Sequence, residues 1–427
     1  MTPKEYKEQL LNQYSDFKLG LNGSRQQPFY KDGEHFFNSL QTLDFPTKRH
    51  EEWKYTTLDR VLKNAPKLVS AKDGYSTEWV NERAIPNLDA YQITLINGRL
   101  TFMDELPSGL TLVSAKDGDI SSAQPADESD IFENINRAFA ADAISISVAA
   151  NTVVDKPILI VNAIDAVSDS AFVQRNIYIE VSQSAEVTFI ERQLTNGAST
   201  SLSNALTKVK VAANANVHHI VLQNDTANAS QVCRTYINQH RDSQYSNYTY
   251  SLSGEIIRNN LNISLDEENS VGNMYGLYLL AGKEHVDNHS VVDHRVPNCE
   301  SNELYKGVLN DSSIGVFNGK VFVRQDAQKT NAYQQNRNLL LSDNATINTK
   351  PQLEIWADDV KCSHGCTVGQ LDEEQLFYLR SRGINTDSAR ALMVYAFASE
   401  IVERLPVDAL KTYLFEAISH KLSFNIV

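Results

Sequence analysis

Apolar and polar residues alternate along most of the chain between Ile144 and Val360, which is the pattern of half-buried β-strands. An apolar residue ends one strand, a corner of small or polar residues follows, and an apolar residue six positions later opens the next strand. The pairs are Val148 and Val154, Val181 and Val187, Val211 and Val217, Leu265 and Val271, Val308 and Ile314, and Leu341 and Ile347. Their spacing is irregular, but the same unit recurs throughout this region.

A single unit of this kind cannot bury its apolar face, whereas several units stacked as successive turns can. The pattern therefore predicts a mainly β protein whose core is a parallel β-helix, that is, a solenoid. A β-sandwich is the alternative, because its strands also follow one another at short spacing. Asn and Ser at the corners favour the solenoid, since they hydrogen-bond their own backbone and tolerate left-handed conformations.

Helical spacing replaces the strand pattern towards the N-terminus. Tyr6, Leu10, Leu11 and Tyr14 predict a helix, which a polar loop follows at about residues 20–32. Further expected elements are a helix from near Thr56, a strand over residues 91–96 with a hairpin turn at Asn97-Gly98, a mobile connector over residues 117–130, and a short helix over residues 134–141.

The C-terminal residues also have helical spacing. Asp372 is the predicted N-cap of a helix through Leu379, and Gly383 suits its end. A second helix is expected from its N-cap Thr386 to Arg404, and Pro406 opens a third. The predicted regions are a mostly helical region with a hairpin (1–140), a β-helix core (141–360) and a C-terminal helical domain (361–427).

Composition narrows the class of protein. The chain has 427 residues, 42% of them hydrophobic and 22% charged, which is ordinary for a globular protein. A net charge of −14 argues against nucleic acid or an anionic membrane as partner. No apolar run is long enough to span a bilayer. The cysteines are too few and too scattered for a secreted disulfide framework, so a cytoplasmic location is expected.

Cys362, His364 and Cys366 are the first candidate site. At positions i, i+2 and i+4 of a strand, all three side chains would project from one face. Thiolate and imidazole suit iron, zinc or an iron-sulfur cluster. Three ligands are one short of a closed tetrahedral site, which suits a shared or transient one. The alternative is one or two buried free thiols, which behave as small hydrophobes, beside a histidine that is hydrogen-bonded at a domain junction.

A second candidate contains His285, Asp287 and His289, with Asp293 and His294 nearby. On a strand the first three share one face, which is compatible with metal binding or proton relay. A structural polar stripe, in which each imidazole pairs with a neighbouring carboxylate, is favoured because no thiol and no third imidazole on the same face completes the set. The chain contains no P-loop sequence, dinucleotide fingerprint, nucleophile elbow or zinc-protease motif, so no nucleotide is expected to bind and any ATP-driven step would need another chain.

Seven short segments, spread over nearly the whole chain, carry a specific combination of residues. They are Pro46-Thr-Lys-Arg-His-Glu-Glu-Trp-Lys-Tyr-Thr, Tyr305-Lys-Gly-Val-Leu, Val316-Phe-Asn-Gly-Lys, Ala327-Gln, Thr349-Lys-Pro-Gln-Leu-Glu-Ile, Asp359-Val-Lys-Cys-Ser-His-Gly and Phe377-Tyr-Leu-Arg-Ser-Arg-Gly-Ile. Together they resemble the SufB/SufD family of iron-sulfur cluster assembly proteins. The chain length and the Lys-Cys-Ser-His-Gly form are closer to the SufD branch than to the longer SufB branch.

The resemblance implies a right-handed parallel β-helix between helical ends, and a non-catalytic scaffold subunit that pairs with SufB and binds the SufC ATPase. In this family a transient cluster is thought to form at the SufB-SufD interface, on a SufB cysteine and a SufD histidine. His364 matches that histidine, with Cys362 as possible support. Ala345 stands in the segment that carries the SufB cysteine, and Cys366 replaces the family's usual Ala.

These expectations combine into one hypothesis. His364 supplies an imidazole to iron or to the assembling cluster, while the C-terminal helices dock SufC. The residues expected to make that dock are Leu376, Phe377, Tyr378, Leu379, Leu392 and Tyr395. A purely structural partner of SufB that touches no metal is the main rival, and a β-helix enzyme acting on carbohydrate is the other. Flavin binding, the cluster type and a homodimer of the isolated chain are left open.

Overall fold

The computed structural model describes residues 2–21, 27–69, 75–120, 127–167 and 169–422. Strands are the most abundant element, and the described residues contain twenty of them. In chain order they are β1 (Lys67–Leu68), β2 (Tyr91–Ile96), β3 (Arg99–Met103), β4 (Leu110–Ser114), β5 (Ile144–Val148), β6 (Ile158–Asp165), β7 (Ala171–Val181), β8 (Glu186–Asn196), β9 (Ser201–Val211), β10 (Asn216–Asn224), β11 (Ala229–Gln239), β12 (Gln244–Ser253), β13 (Ile256–Leu265), β14 (Val271–Leu280), β15 (His285–His294), β16 (Glu300–Leu309), β17 (Ile314–Val323), β18 (Asn331–Leu340), β19 (Thr346–Ile355) and β20 (Lys361–Gly369).

Strands two apart in the sequence pair in parallel from β5 and β6 onwards. Odd-numbered strands build one ten-stranded sheet and even-numbered strands build another, apart from β4, which joins the odd sheet, and β3, which joins the even one. The chain therefore forms a parallel β-solenoid of about eight turns between helical ends. This confirms the predicted mainly β solenoid and excludes the sandwich.

The corners depend on residues that adopt left-handed backbone. Positive φ angles occur at Asn151, Ser184, Asn214, Asn269 and Asp311, which lie in five of the six predicted corners. Three more non-glycine residues with positive φ, Asp242, Asn298 and Lys329, mark corners that the sequence pattern missed. The strands before the first two end in Gln239 and His294, so a rule that requires an apolar residue at the strand end passes over them. The third corner is longer than six positions, since β18 begins eight residues after Val323.

Eight helices surround the solenoid in the described residues. They are α1 (Pro3–Gly20), α2 (Pro28–Leu40), α3 (Asp59–Lys63), α4 (Glu78–Asn81), α5 (Ile131–Phe139), α6 (Glu373–Ser381), α7 (Thr386–Val402) and α8 (Asp408–Lys421). Side chains of the N-terminal helices pack against Phe172, Leu202 and Val232 of the odd sheet. Those of α7 and α8 pack against Leu277, Leu304 and Val308 of the even sheet. Each sheet thus has one outer face covered by one end of the chain.

Several local predictions hold. Asp372 caps α6 by accepting hydrogen bonds from the backbone N–H groups of Glu374 and Gln375. Gly383 has φ of +89° just after that helix, as a C-terminal stop requires. The hairpin at Asn97-Gly98 joins β2 and β3, and both turn residues have positive φ.

Other boundaries differ from expectation. The N-cap of α7 is Asn385, not Thr386, because the Asn385 side chain accepts a hydrogen bond from the Ser388 N–H. The expected loop at 20–32 gives way to α2 at Pro28, since proline suits the first turn of a helix. Residues 22–26 of that loop and 121–126 of the expected connector lie outside the described residues.

The solenoid is also longer than the region 141–360. At its start, β2 pairs in parallel with β6, and at its end β20 pairs with β18 over residues 361–369. The C-terminal helices therefore begin at Glu373 rather than at Lys361. In the described residues no helix is both long enough and apolar enough to cross a bilayer.

Candidate functional site

The last turn of the solenoid leaves two edge strands without a further neighbour in the described residues. β19 ends the odd sheet and β20 ends the even sheet. Residues of both strands are partly or fully exposed, whereas those of β16 and β17 are mostly buried. Their outer N–H and C=O groups are free to pair with a strand of another chain. We call the surface formed by β19 and β20 the open end.

Cys362, His364 and Cys366 lie on β20, the even strand of the open end. They are in register with Ala332, Gln334 and Asn336 of β18, which are all buried. Because side chains of in-register positions on parallel strands share a face, the three motif residues face the solenoid interior. The strand and the shared face agree with the alternation in the sequence. His364 is exposed nonetheless, since no further turn covers it.

Strand geometry separates the three potential ligands. Residues four apart on a strand have Cα atoms about 13 Å apart, so Cys362 and Cys366 cannot both reach one ion at bond lengths near 2.3 Å. Among the described residues, no group of three or more His, Cys, Asp or Glu residues is arranged to hold a metal ion. The motif is therefore not a three-ligand chelate.

The two thiols have neighbours of their own. Cys362 is half-buried against the apolar cluster of Val321, Val323 and Ala332, and burial raises the pKa of its thiol. Cys366 Sγ lies 3.1 Å from Thr349 Oγ1 on β19, across the interior of the last turn. The imidazole of His364 has no hydrogen-bond partner among the described residues. Of the three, it is the group most available to a ligand from outside.

The second candidate site is covered by the N-terminal segment. His285 Nε2 lies 2.9 Å from Thr56 Oγ1, and His289 Nε2 lies 2.9 Å from Asp287 Oδ1. The other nitrogen of His289, Nδ1, lies 3.2 Å from a carboxylate oxygen of Glu52. This arrangement matches the structural polar stripe rather than a metal site.

Arginine completes that stripe. Arg258 Nη1 lies 2.6 Å from Asp287 Oδ2, and its guanidinium stacks over Trp53 at 4.3 Å from the ring centroid. Burial alone would raise the pKa of Asp287, but Arg258 and His289 outweigh it and hold that pKa well below its usual range. The hydrogen bond from His289, together with the ion pair to Lys320, lowers the pKa of Glu52 to about 2. We call Glu52, Thr56, Arg258, Asp287 and His289 the clamp, because they fasten the N-terminal segment to the odd sheet.

His294 does not belong to this group. It lies at the end of β15, is fully buried, and its Nε2 is 2.9 Å from Ser301 Oγ. Burial lowers the pKa of its imidazole to about 4. It is a neutral histidine of the solenoid interior.

Comparison with known proteins identifies the family. The family model described as SUF system FeS cluster assembly, SufBD core domain, matches residues 163–397, more than half of the chain. A second model, the SufBD protein N-terminal region, matches residues 4–160. The chain belongs to the SufBD family.

Individual SufBD relatives match almost end to end. The chain is 30% identical to the iron-sulfur cluster assembly protein SufD of Escherichia coli over 403 residues, which cover 94% of each protein. It is 33% identical to the SufBD family protein slr0076 of Synechocystis, with 89% of this chain and 88% of the relative covered. The chloroplastic protein ABCI7 of Arabidopsis thaliana is 27% identical, with 91% and 85% covered.

In this SufBD chain, the predicted docking residues divide into exposed and buried ones. Phe377 and Leu392 are 71% and 38% exposed, and Tyr378 is exposed as well. Leu376 is buried, Leu379 and Tyr395 are half-buried, and Tyr395 packs against Phe415 with ring centroids 4.9 Å apart. The fully exposed docking residues are therefore Phe377, Tyr378 and Leu392.

An apolar groove of about 800 Å³ lies beside these exposed residues, between α6, α7 and β18. Its lining includes Leu339, Leu371, Tyr378, Leu379, Leu392, Met393, Ala396 and Phe397. Below it, α7 is anchored to the even sheet, where Lys306 Nζ lies 2.5 Å from Glu400 and donates to the Phe397 carbonyl at 2.8 Å. The groove thus sits on a firmly attached helix.

Trp356 and Arg324 are two residues near the open end that the sequence pattern does not single out. Trp356, just after β19, is 49% exposed and stacks on Phe322 at a centroid distance of 6.3 Å. Arg324 lies over the Trp356 ring at 5.3 Å. The sequence signal for this exposed residue is a tryptophan directly after a strand with alternating apolar and polar residues. Ala345, by contrast, is mostly buried and supplies no thiol at the corner before β19.

Proposed function

We propose that this chain is the SufD-like subunit of a SUF assembly scaffold, in which it pairs with a SufB-like subunit through the open end. His364 would give its imidazole to iron or to the nascent cluster at that interface. The cluster is the cargo of the complex and not a resident cofactor. The observation that carries the proposal is the exposed imidazole on the last strand of the even sheet, which has no hydrogen-bond partner in the described part of the chain.

The open end supports pairing with another chain. Unpaired strand edges invite strand addition, and the exposed Trp356 with Arg324 offers an aromatic and a cationic contact of the kind enriched at interfaces. The remaining ligands of a cluster would then come from the partner and from sulfide. Because neutral imidazole is a weaker donor than thiolate, a cluster held partly by His364 is more readily released.

The C-terminal groove supports docking of a SufC-type ATPase. The groove is apolar and rimmed by the exposed side chains of Phe377, Tyr378 and Leu392. Aromatic side chains of this kind commonly dominate binding energy at protein interfaces. Nucleotide hydrolysis would take place on that partner, and this chain would act as a non-catalytic scaffold. Movement of the docked ATPase would shift the populations of the open and closed interface.

Substitution of His364 tests the ligand role. In a purified complex with SufB and SufC, His364→Ala is expected to lower the iron and acid-labile sulfide bound after reconstitution by about tenfold or more. His35→Ala is the matched control, since His35 is an exposed histidine on α2 and far from the open end in the fold. Equal cluster content in both variants would instead support a purely structural partner of SufB that touches no metal.

Substitution in the groove tests the dock. Phe377→Ser and Leu392→Ser are each expected to weaken SufC binding about 30-fold, the effect of losing a hot-spot side chain worth about 2 kcal/mol. Leu19→Ser is the control, because Leu19 is 66% exposed on α1. Isothermal titration of SufC into each variant gives the dissociation constant. Wild-type affinity in both groove variants would remove this part of the proposal.

A further inference from the structure

Three polar residues form a column inside the even sheet that ends at the open end. Glu303 of β16 is in register with Gln334 of β18, which is in register with His364 of β20. Glu303 and Gln334 are both buried, and Gln334 is only 1% exposed. Side chains at such positions stack about 4.8 Å apart in adjacent strands. Gln334 therefore lies directly between a buried carboxyl group and the exposed imidazole.

The amide of Gln334 is held in one orientation. Its Nε2 donates a hydrogen bond to Glu303 Oε2 at 2.7 Å, and the other oxygen of Glu303 accepts from Ser290. Gly319 lies beside the amide, where a Cβ would overlap Gln334 Nε2 and come within 2.8 Å of the Phe317 ring. These close neighbours hold the Gln334 amide in one orientation, and this orientation fixes the direction in which its carbonyl oxygen points.

That carbonyl oxygen is an acceptor without a donor. Gln334 Oε1 is buried and has no hydrogen-bond partner among the described residues. Leaving a buried acceptor unpaired costs free energy, so a nearby donor gains by turning towards it. His364 is the next residue of the column, and its ring N–H is likewise without a partner in the described part of the chain.

We propose that Gln334 is a positioning residue for His364, its Oε1 accepting the N–H of the His364 imidazole. This inference rests on the proposed function of His364 as a ligand. One ring nitrogen then keeps its proton against Gln334, and the other keeps its lone pair towards the open end. Second-shell acceptors of this kind fix the tautomer and raise the basicity of a ligating histidine. Glu303 takes part indirectly, by orienting the amide.

Imidazole nitrogen NMR of the full-length chain tests the pairing without any cluster. The chain is labelled with [¹⁵N]histidine, and the His364 signals are assigned by their loss in His364→Gln. At a pH where the imidazole is neutral, wild type is expected to show one dominant tautomer. Gln334→Met, which keeps the side-chain volume but removes the amide, is expected to give a mixture of tautomers. Gln335→Met is the matched control, since Gln335 is the exposed neighbour on the same strand.

Two results would overturn the inference: a tautomer mixture at His364 in wild type, or an unchanged tautomer ratio in Gln334→Met. If Gln334→Met does not fold, Gln334→Asn keeps an amide but withdraws the carbonyl by one methylene, and the same mixture is expected. In the complex with SufB and SufC, Gln334→Met should also reduce cluster content about tenfold. If the tautomer changes while His364→Ala leaves cluster content intact, the positioning role stands and the ligand role of His364 fails.

Discussion

The clamp and the open end both contain histidine, but only the open end leaves it available. His289 contacts two carboxylates within 3.2 Å, in a buried position under the N-terminal segment. His364 is exposed and has no partner among the described residues. A side chain in an inner turn of a solenoid has neighbours on both adjacent turns, which can satisfy its hydrogen bonds. In the last turn it has neighbours on one side only.

Position in the solenoid therefore separates structural from accessible histidines more clearly than local sequence does. The stretch from His285 to His294 is richer in ligand-type residues than the stretch around His364, yet its side chains are taken up by Thr56, Glu52 and Arg258. If this contrast is right, substitutions in the clamp change stability, and substitutions of His364 change cluster content but not stability.

The largest effect is expected at Asp287. Asp287→Ala would leave Arg258 as a buried cation without its carboxylate, and breaking a buried pair in this way costs about 3–5 kcal/mol. Urea unfolding should show this loss, whereas His364→Ala should stay within about 0.5 kcal/mol of wild type. A comparable loss in His364→Ala would mean that the open end is as much a structural element as the clamp.

Much of the fold could be predicted because strand alternation and corner residues are local. Two strands end in the polar residues Gln239 and His294, so the corners after them do not fit a pattern that requires an apolar strand end. The repeat spacing is therefore more irregular in the prediction than in the structure. The last strand was also missed as a strand of the core, although Cys362, His364 and Cys366 were expected on one face. The strand continues through residue 369, beyond the predicted domain boundary at residue 360.

The site was less predictable because it depends on register between distant residues. Glu303, Gln334 and His364 are about 30 residues apart in sequence and become neighbours only when the turns stack. The docking residues show a similar limit. Sequence proximity grouped Leu376 with Phe377, but helix rotation buries the first and exposes the second.

An intermediate effect is expected from the buried histidine of the solenoid interior. The pKa of His294 in the folded chain is about 4, below the usual value of 6.5, because burial disfavours the imidazolium form. The folded state therefore resists protonation, so its stabilisation is complete above pH 6.5 and is lost as the pH falls towards 4. This linkage is on the order of 3 kcal/mol. Burial lowers the pKa of His285 as well, which acts in the same direction.

The variant His294→Gln isolates the contribution of this histidine to the pH dependence of stability. Glutamine can still donate to Ser301 Oγ but does not titrate, so unfolding free energies measured in urea between pH 7 and pH 4 should fall less steeply than in wild type. A slope equal to that of wild type would show that the burial of His294 does not contribute to the pH dependence of stability.

The smallest effect is expected where the N-terminal segment approaches the open end. Lys350 Nζ of β19 lies 2.7 Å from Glu51 Oε1, and the two side chains are 39% and 61% exposed. Exposed ion pairs are worth about 0–1 kcal/mol and weaken with salt, so Lys350→Met should change the free energy of unfolding by less than about 1 kcal/mol, with no difference left at high salt. A loss as large as that in Asp287→Ala would mean that the N-terminal segment is held mainly by its contact with β19. Binding of a partner at the open end would then also disturb the clamp, and the two regions would not be independent.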